Sequence, residues 1–276
     1  MPIHHLTVGD LSCTVLNDTQ TPFVYDPATT DLVGVTWDEI RAALDALGQG
    51  NTGIDAMNCL LIQHGGTNLL VDSGLGDSSR SHLLASLAEA GLTANDIDII
   101  FLSHFHGDHT GGLVNEAGEV VFPNAHYYAA EIEWDTWLPR SPWPQMSAER
   151  TDQFKEGFAP LKDRFTFIEP GYELLTGVTV VDARGHSPGH YLVHVHSGDE
   201  QLLYLSDTLL RLPQFAHPNW HIVFDVDKEK SVKMRKAILQ RAADEHILLQ
   251  VYHLPFPGLG YVEQIGEDTY SWHPLA

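Results

Sequence analysis

Cysteine is almost missing from this chain: Cys13 and Cys59 are the only two in 276 residues. Two thiols make no disulfide framework, and without C-x-x-C spacing they offer no thiolate zinc site. Each reads as a small buried hydrophobe. Long apolar runs are lacking too. No stretch reaches the roughly eighteen apolar residues of a membrane helix. Met1 to Asp10, with His4 and His5, has neither the basic start nor the apolar run of a signal peptide. A soluble cytoplasmic protein is the expectation. Positive charge is the third scarcity: 15 Lys and Arg stand against 37 Asp and Glu, for a net charge of −22. Such a surface repels polyphosphate, which argues against nucleic acid as a partner and leaves a small molecule. No P-loop or nucleophile elbow occurs, and Gly258-Leu259-Gly260 lacks the third glycine and helix start of a dinucleotide site.

What the chain does have is enough apolar residue, 43% by composition, to build a full core. Its length suits one domain spanning 1–276. Asn58 to Gln63 and Thr67 to Asp72 are apolar runs around His64-Gly65-Gly66, the pattern of a hairpin. Thr36-Trp37-Asp38-Glu39 has capping-box spacing and predicts a helix to about Leu47. Ser81 to Ala90 carries a helical face. Asp98 to Leu102 reads as a strand buried on both faces, ending in a histidine-rich loop. Strands are expected at 120–122, 125–128, 165–168, 178–182, 191–196 and 201–205, then a helix over 228–244 and a last strand at 247–252. Glu131 to Lys155, with Trp134, Trp137 and Trp143 among three prolines, reads as a long aromatic loop, a common place for function. The terminal segments are candidates for a homodimer interface.

His104-Phe105-His106-Gly107-Asp108-His109 places four candidate ligands in six residues, directly after the buried strand. Imidazole and carboxylate suit zinc and similar metals when no thiolate is offered. Residues 104 and 106 project to one side of an extended segment, so both rings can converge on one ion. With 17 histidines some clustering arises by chance: His194-Val195-His196 has the same spacing mid-strand, without an adjoining acid, and is not expected to bind metal. Glu131, Glu133 and Asp135 alternate beside tryptophans, the usual pattern of a solvated face.

Ser103 to Gly112, SHFHGDHTGG, resembles the HxHxDH signature of the metallo-β-lactamase superfamily. The resemblance continues at Leu70-Val71-Asp72-Ser73-Gly74, at Gly185-His186-Ser187-Pro188-Gly189-His190, at Ser206-Asp207-Thr208, and at His253 after an apolar strand. It implies an α/β architecture, the four-layer αβ/βα sandwich. It further implies that His104, His106 and His186 hold one divalent ion and Asp108, His109 and His253 a second, with Asp207 bridging. Zinc is the expected metal, with Fe, Mn or Co as alternatives. Asp72 and His190 would support the ligands or be structural. Spacing alone does not choose between His186 and His190, and His253 by itself reads equally as a core histidine.

Two adjacent divalent ions bring the pKa of a shared water toward neutrality, so a hydrolase attacking directly with hydroxide is expected, without a covalent acyl-enzyme. Asp108 or Asp207 would orient that nucleophile or accept a proton. The stretches 214–227 and 253–260 are similar to the branch holding methyl parathion hydrolase and related lactonases and arylesterases. In that branch the position of Leu210 lines the pocket. Walls from Phe105, Leu210, Phe215 and either Trp134 or Trp137 would suit a neutral, hydrophobic ester, lactone or phosphotriester, although loop packing explains the tryptophans equally well. β-Lactam hydrolysis shares the metal chemistry and stays open. Thioester hydrolysis with a glutathione-sized anion would want basic residues that are scarce here. A reading from another class is a non-hydrolytic metal-binding or redox protein, since the fold also hosts diiron oxygen chemistry.

Overall fold

The computed structural model describes residues 2–76, 79–138, 152 and 155–275. Two seven-stranded sheets dominate the described residues. The first runs in the order β1 (Ile3–Val8), β2 (Leu11–Val24), β4 (Thr52–His64), β5 (Thr67–Val71), β6 (Ile99–Phe101), β7 (His126–Ala129), β8 (Phe165–Phe167). The second runs β16 (Thr269–Pro274), β15 (Leu259–Gly266), β14 (Leu248–Gln250), β12 (Glu200–Tyr204), β11 (Tyr191–Ser197), β10 (Val178–Asp182), β9 (Glu173–Leu175). A small ribbon pairs β3 (Leu32–Val33) with β13 (His221–Ile222).

Alternation along the strands explains the layering. Val193 and Val195 of β11 join the large core between the sheets, with Val15, Leu61 and Val71 from the first sheet. Leu192, one residue before Val193 and so on the opposite face of the strand, points into a second core. That core is closed by a helix at Lys228–Asp244 through Ile238, Leu239 and Ala242. On the first sheet's side a helix at Leu83–Glu89 buries Leu83 and Leu87. The result is the expected αβ/βα sandwich.

Local signals are realised where expected. Gly65 and Gly66 both have positive φ, +60° and +86°, as a tight hairpin turn between β4 and β5 requires. Thr36 caps the helix Trp37–Ala46 in a reciprocal box with Glu39. Three expectations are corrected. Residues 120–122 form no strand beyond a lone bridge from Val120 to Val114. The strand after the long helix is not the last, because β15 and β16 extend the sheet. The aromatic segment opens as a helix, Glu131–Trp137, rather than a loop; Trp143 and the three prolines lie outside the described residues.

Candidate metal centre

The site forms where strands of both sheets end. The parallel strand β6 delivers His104 and His106, and the short helical turn Gly107–Thr110 carries Asp108 and His109. His186 enters from the loop before β11, Asp207 from the turn after β12, and His253 from the loop after β14. These residues form two groups, His104, His106, His186 and Asp207 in one and Asp108, His109 and His253 in the other, with the ligand atoms of each group within 4.8 Å of one another.

Asp207 stands between the groups. Its Oδ2 lies 3.2 Å from His186 Nε2 and 3.7 Å from His104 Nε2. Its Oδ1 lies 3.1 Å from His109 Nε2 and 3.2 Å from His253 Nε2. Asp108 reaches the second group alone, 3.5 Å from His253 Nε2 and 3.8 Å from His109 Nε2.

The opposite faces of the imidazoles are already engaged. His109 Nδ1 meets Asp72 Oδ2 at 2.7 Å, His186 Nδ1 meets Asp225 Oδ1 at 2.9 Å, and His253 Nδ1 meets Asp55 Oδ1 at 3.2 Å. His104 Nδ1 sits 3.1 Å from Ser103 Oγ. Such partners fix ring orientation and direct Nε2 inward, as they do behind metal-bound histidines. Inside, His104 Nε2, His109 Nε2, His253 Nε2 and Asp207 Oδ1 are buried without a hydrogen-bond partner. An unsatisfied buried polar atom costs roughly 1–3 kcal/mol. Ring nitrogens and carboxylate oxygens that converge on one point, with their outer atoms already engaged, are the donor set a divalent metal requires, so the residues fit the group.

The electrostatics agree. Burial, reinforced by neighbouring imidazoles, holds His104 and His106 well below the ordinary histidine range, leaving them neutral. Burial also opposes the charge on His186, but Asp207 and Asp225 reverse this and lift it to about 9. Against the same burial penalty, Asp207 and Asp55 lift His253 to about 10. Protons on these rings stand in for cationic charge.

His190 is fully buried and points Nδ1 at the Ala183 carbonyl at 3.1 Å, in neither ligand group. Burial, helped by His186, lowers its pKa to about 3. The unfolded chain takes up this proton near pH 6.5 while the folded one refuses it. Its contribution to stability is therefore whole above about pH 6.5 and drains as pH falls toward 3. The melting temperature of the metal-free protein should fall more steeply from pH 7 to pH 5 in wild type than in His190→Gln; parallel curves would refute this assignment.

The five wall residues separate. Phe105 is 1% exposed and packs against Trp134, Phe158 and Phe165, so it and Trp134 belong to the core. Phe215 stacks on Trp272 in the second core, with centroids 4.8 Å apart. An aromatic ring that repeats a core period cannot be told from a pocket ring by type alone. Leu210 lies in a small apolar cluster with Tyr25, Leu32, Ile40, Leu44 and Ile222. Trp137 touches the ligand set, its ring edge-on to His106 at 5.2 Å. His194 pairs with Gln201 instead, away from both groups.

Three contributors were missed in the sequence. Asp55 and Asp225 reach His253 and His186 across long stretches of chain. Glu133, expected on a solvated face, is fully buried. It sits one helical turn before Trp137 and accepts from its Nε1 at 2.8 Å, an i, i+4 contact that a helix reading of the segment would have suggested.

Several known proteins are similar to this chain. A solved structure described as AidC, a dizinc quorum-quenching lactonase in complex with a product N-hexanoyl-L-homoserine, superposes with a TM-score of 0.89 at 27% identity, over 99% of this chain and 97% of that one. An N-acyl homoserine lactonase of Bacillus cereus is 24% identical over 171 residues, 54% of this chain and 61% of that protein. A ribonuclease Z of Methanopyrus kandleri is 40% identical over 55 residues, 20% of this chain and 18% of that protein. The chain thus spans less than two thirds of the length of these curated relatives. The family model for the metallo-beta-lactamase superfamily matches residues 52–246, more than half of the sequence, and the chain belongs to that superfamily.

Proposed function

We propose that this protein is a dinuclear metal-dependent hydrolase of neutral, hydrophobic esters, lactones or phosphotriesters. The observation that carries the reading is the division of Asp207, whose two carboxylate oxygens face two separate ligand groups. His104, His106 and His186 would hold one divalent ion, Asp108, His109 and His253 the other, with zinc the best match to the all-nitrogen-and-oxygen donor set. Bound there, the ions would supply Lewis acidity toward the substrate oxygen and a water acidic enough to act at neutral pH. Asp108, whose side chain is 25% exposed against 4% for Asp207, is the carboxylate placed to meet substrate and accept a proton.

Charge supports a neutral substrate. Arg211 is bound by Asp31 and Asp55, and Arg235 donates to the carbonyls of Thr208, Pro218 and Trp220, so neither is spare for an anion. The lactonase described for the structure that superposes with a TM-score of 0.89 supports a lactone within this class. Apolar contacts to such a substrate would discriminate by only about 1–3 kcal/mol per methylene-sized difference, so breadth is expected rather than one sharp preference.

The test is kcat/KM for a lactone, an aryl ester, an aryl phosphotriester, a β-lactam and a glutathione thioester, on wild type and Leu210→Tyr. The first three should exceed the thioester by about tenfold or more, the size of one such contact difference. Leu210→Tyr should change the lactone-to-phosphotriester ratio without changing metal content. A preference for the thioester or the β-lactam would overturn the substrate class, and inactivity on all five with metal bound would overturn the hydrolase reading.

A further inference from the structure

We infer that Glu133 is a positioning residue for one of the two metals: it locks together the loops that carry His104, His106 and His186 and leaves the other metal's ligands alone. The inference rests on the dinuclear reading above. Glu133 belongs to the helix Glu131–Trp137, outside both ligand groups, and is completely buried. An isolated carboxylate in such a place is costly unless hydrogen bonds compensate. Here both oxygens are engaged. Oε2 accepts from the Phe105 backbone N–H at 2.9 Å and from Trp137 Nε1 at 2.8 Å. Oε1 accepts from the Ser187 hydroxyl and the Gly189 backbone N–H.

The addresses of these donors give the contact its meaning. Phe105 lies between His104 and His106, on the loop leaving the first sheet. Ser187 and Gly189 follow His186 on the loop entering the second sheet. One carboxylate therefore spans the sandwich at the place where three imidazoles from two sheets must meet. Gly189 leaves room for it, since a Cβ there would stand 2.9 Å from Glu133 Cγ and 2.6 Å from Ala130 Cβ. Trp137 completes the clamp, with Nε1 also 3.3 Å from Ser187 Oγ and its ring edge-on to His106. The second group is braced independently, His109 by Asp72 and His253 by Asp55.

Glutamine at this position cannot substitute. Turned either way, its NH2 confronts a backbone N–H, that of Phe105 or that of Gly189, so one histidine loop loses its acceptor and meets a repelling donor. Partners behind metal ligands are worth about 10- to 100-fold in metal affinity. Glu133→Gln should weaken one of two metal equivalents by about that factor and leave the other unchanged.

The experiment is chelator competition with zinc(II) and titration with cobalt(II), following the visible spectrum, on wild type, Glu133→Gln and Ser187→Ala, with melting of each metal-free protein alongside. Ser187→Ala removes one donor while keeping the carboxylate, so it folds if Glu133→Gln does not. It should show the same selectivity with a smaller factor. Selective loss of one equivalent, with an altered cobalt spectrum for that equivalent only, supports the inference. Lowered melting with both metal affinities intact, or equal weakening of both, overturns it. A wild type that takes up no metal would instead overturn the dinuclear reading itself.

Discussion

Replacing Asp207 by alanine is expected to reduce kcat/KM by on the order of 10³-fold, equivalent to about 4 kcal/mol of transition-state stabilisation, and to lower metal content, while the chain still folds. The reason lies in the two directions of one side chain. Oδ2 serves the His186 and His104 side and Oδ1 the His109 and His253 side, so no other residue can take both roles. Removing it takes away one of the two carboxylates that lift each of His186 and His253 in the metal-free state, and Asp225 and Asp55 still pair with those rings, so no buried cation is left without a partner. Fold stability without metal should accordingly suffer less than activity. His194→Ala is the matched control: it removes an H-x-H histidine whose contact is Gln201. Rates, bound metal by elemental analysis and melting curves are compared for both variants. Wild type should carry about two equivalents of metal and lose activity on chelation. Equal losses in the two variants, or full activity without metal, would remove Asp207 from the centre of the site.

The ligand motifs were legible because each is a short local pattern. The six residues from His104 to His109 must be contiguous to leave a strand end and turn back over it, and contiguity is what a linear reading can see. Grouping was not legible: the spacing of His186 and His190 was equally compatible with either as ligand, and only family resemblance preferred the first. The orienting carboxylates were hidden for a related reason. Asp55 lies on β4 and meets a histidine almost two hundred residues later, and nothing in its neighbours marks that meeting. Glu133 was misread because alternation of acid and aromatic fits a solvated strand-like face, whereas at helical spacing the same residues aim Glu133 inward and leave Glu131 and Asp135 exposed.

The fold divides similarly. Runs such as Ile99 to Leu102, apolar on both faces, announce interior strands. The strand β15 begins buried and ends exposed, over Glu263, Gln264 and Ile265, and among the described residues it pairs only with β14 and β16. Half-solvated strands near an edge carry half the apolar signal, so the end of the second sheet escaped. Pocket walls were the least legible feature. Phe105 and Phe215 are the aromatic residues expected of a wall, but the surroundings that put them in cores come from segments far away in sequence.

The largest effect on stability is expected at Asp72, where alanine should cost about 3–5 kcal/mol, the usual toll of stripping one member from a buried charged network. Asp72 is fully buried at the end of β5, and its backbone is left-handed, with φ at +61°, a conformation aspartate tolerates better than alanine. Its Oδ1 accepts from the Ser103 backbone N–H at 2.8 Å. Oδ2 accepts from Ser103 Oγ at 2.8 Å and from the Tyr204 hydroxyl at 2.6 Å, and meets His109 Nδ1 at 2.7 Å. Alanine leaves those donors buried without an acceptor, and each such orphan costs roughly 1–3 kcal/mol before relaxation. Asparagine keeps the volume and one oxygen, so it should cost less while still loosening His109, since its NH2 can face only some of the donors. The contrast with Asp207 is diagnostic. Asp72 acts through the fold and through the orientation of one imidazole, so Asp72→Ala should lower the denaturation midpoint even in the metal-free protein, whereas Asp207→Ala should act mainly on metal and rate. Urea denaturation of metal-free wild type, Asp72→Ala, Asp72→Asn and Asp207→Ala separates them. A metal-free Asp72→Ala as stable as wild type would show that Tyr204, Ser103 and His109 find other acceptors, and would remove Asp72 from the support of the site.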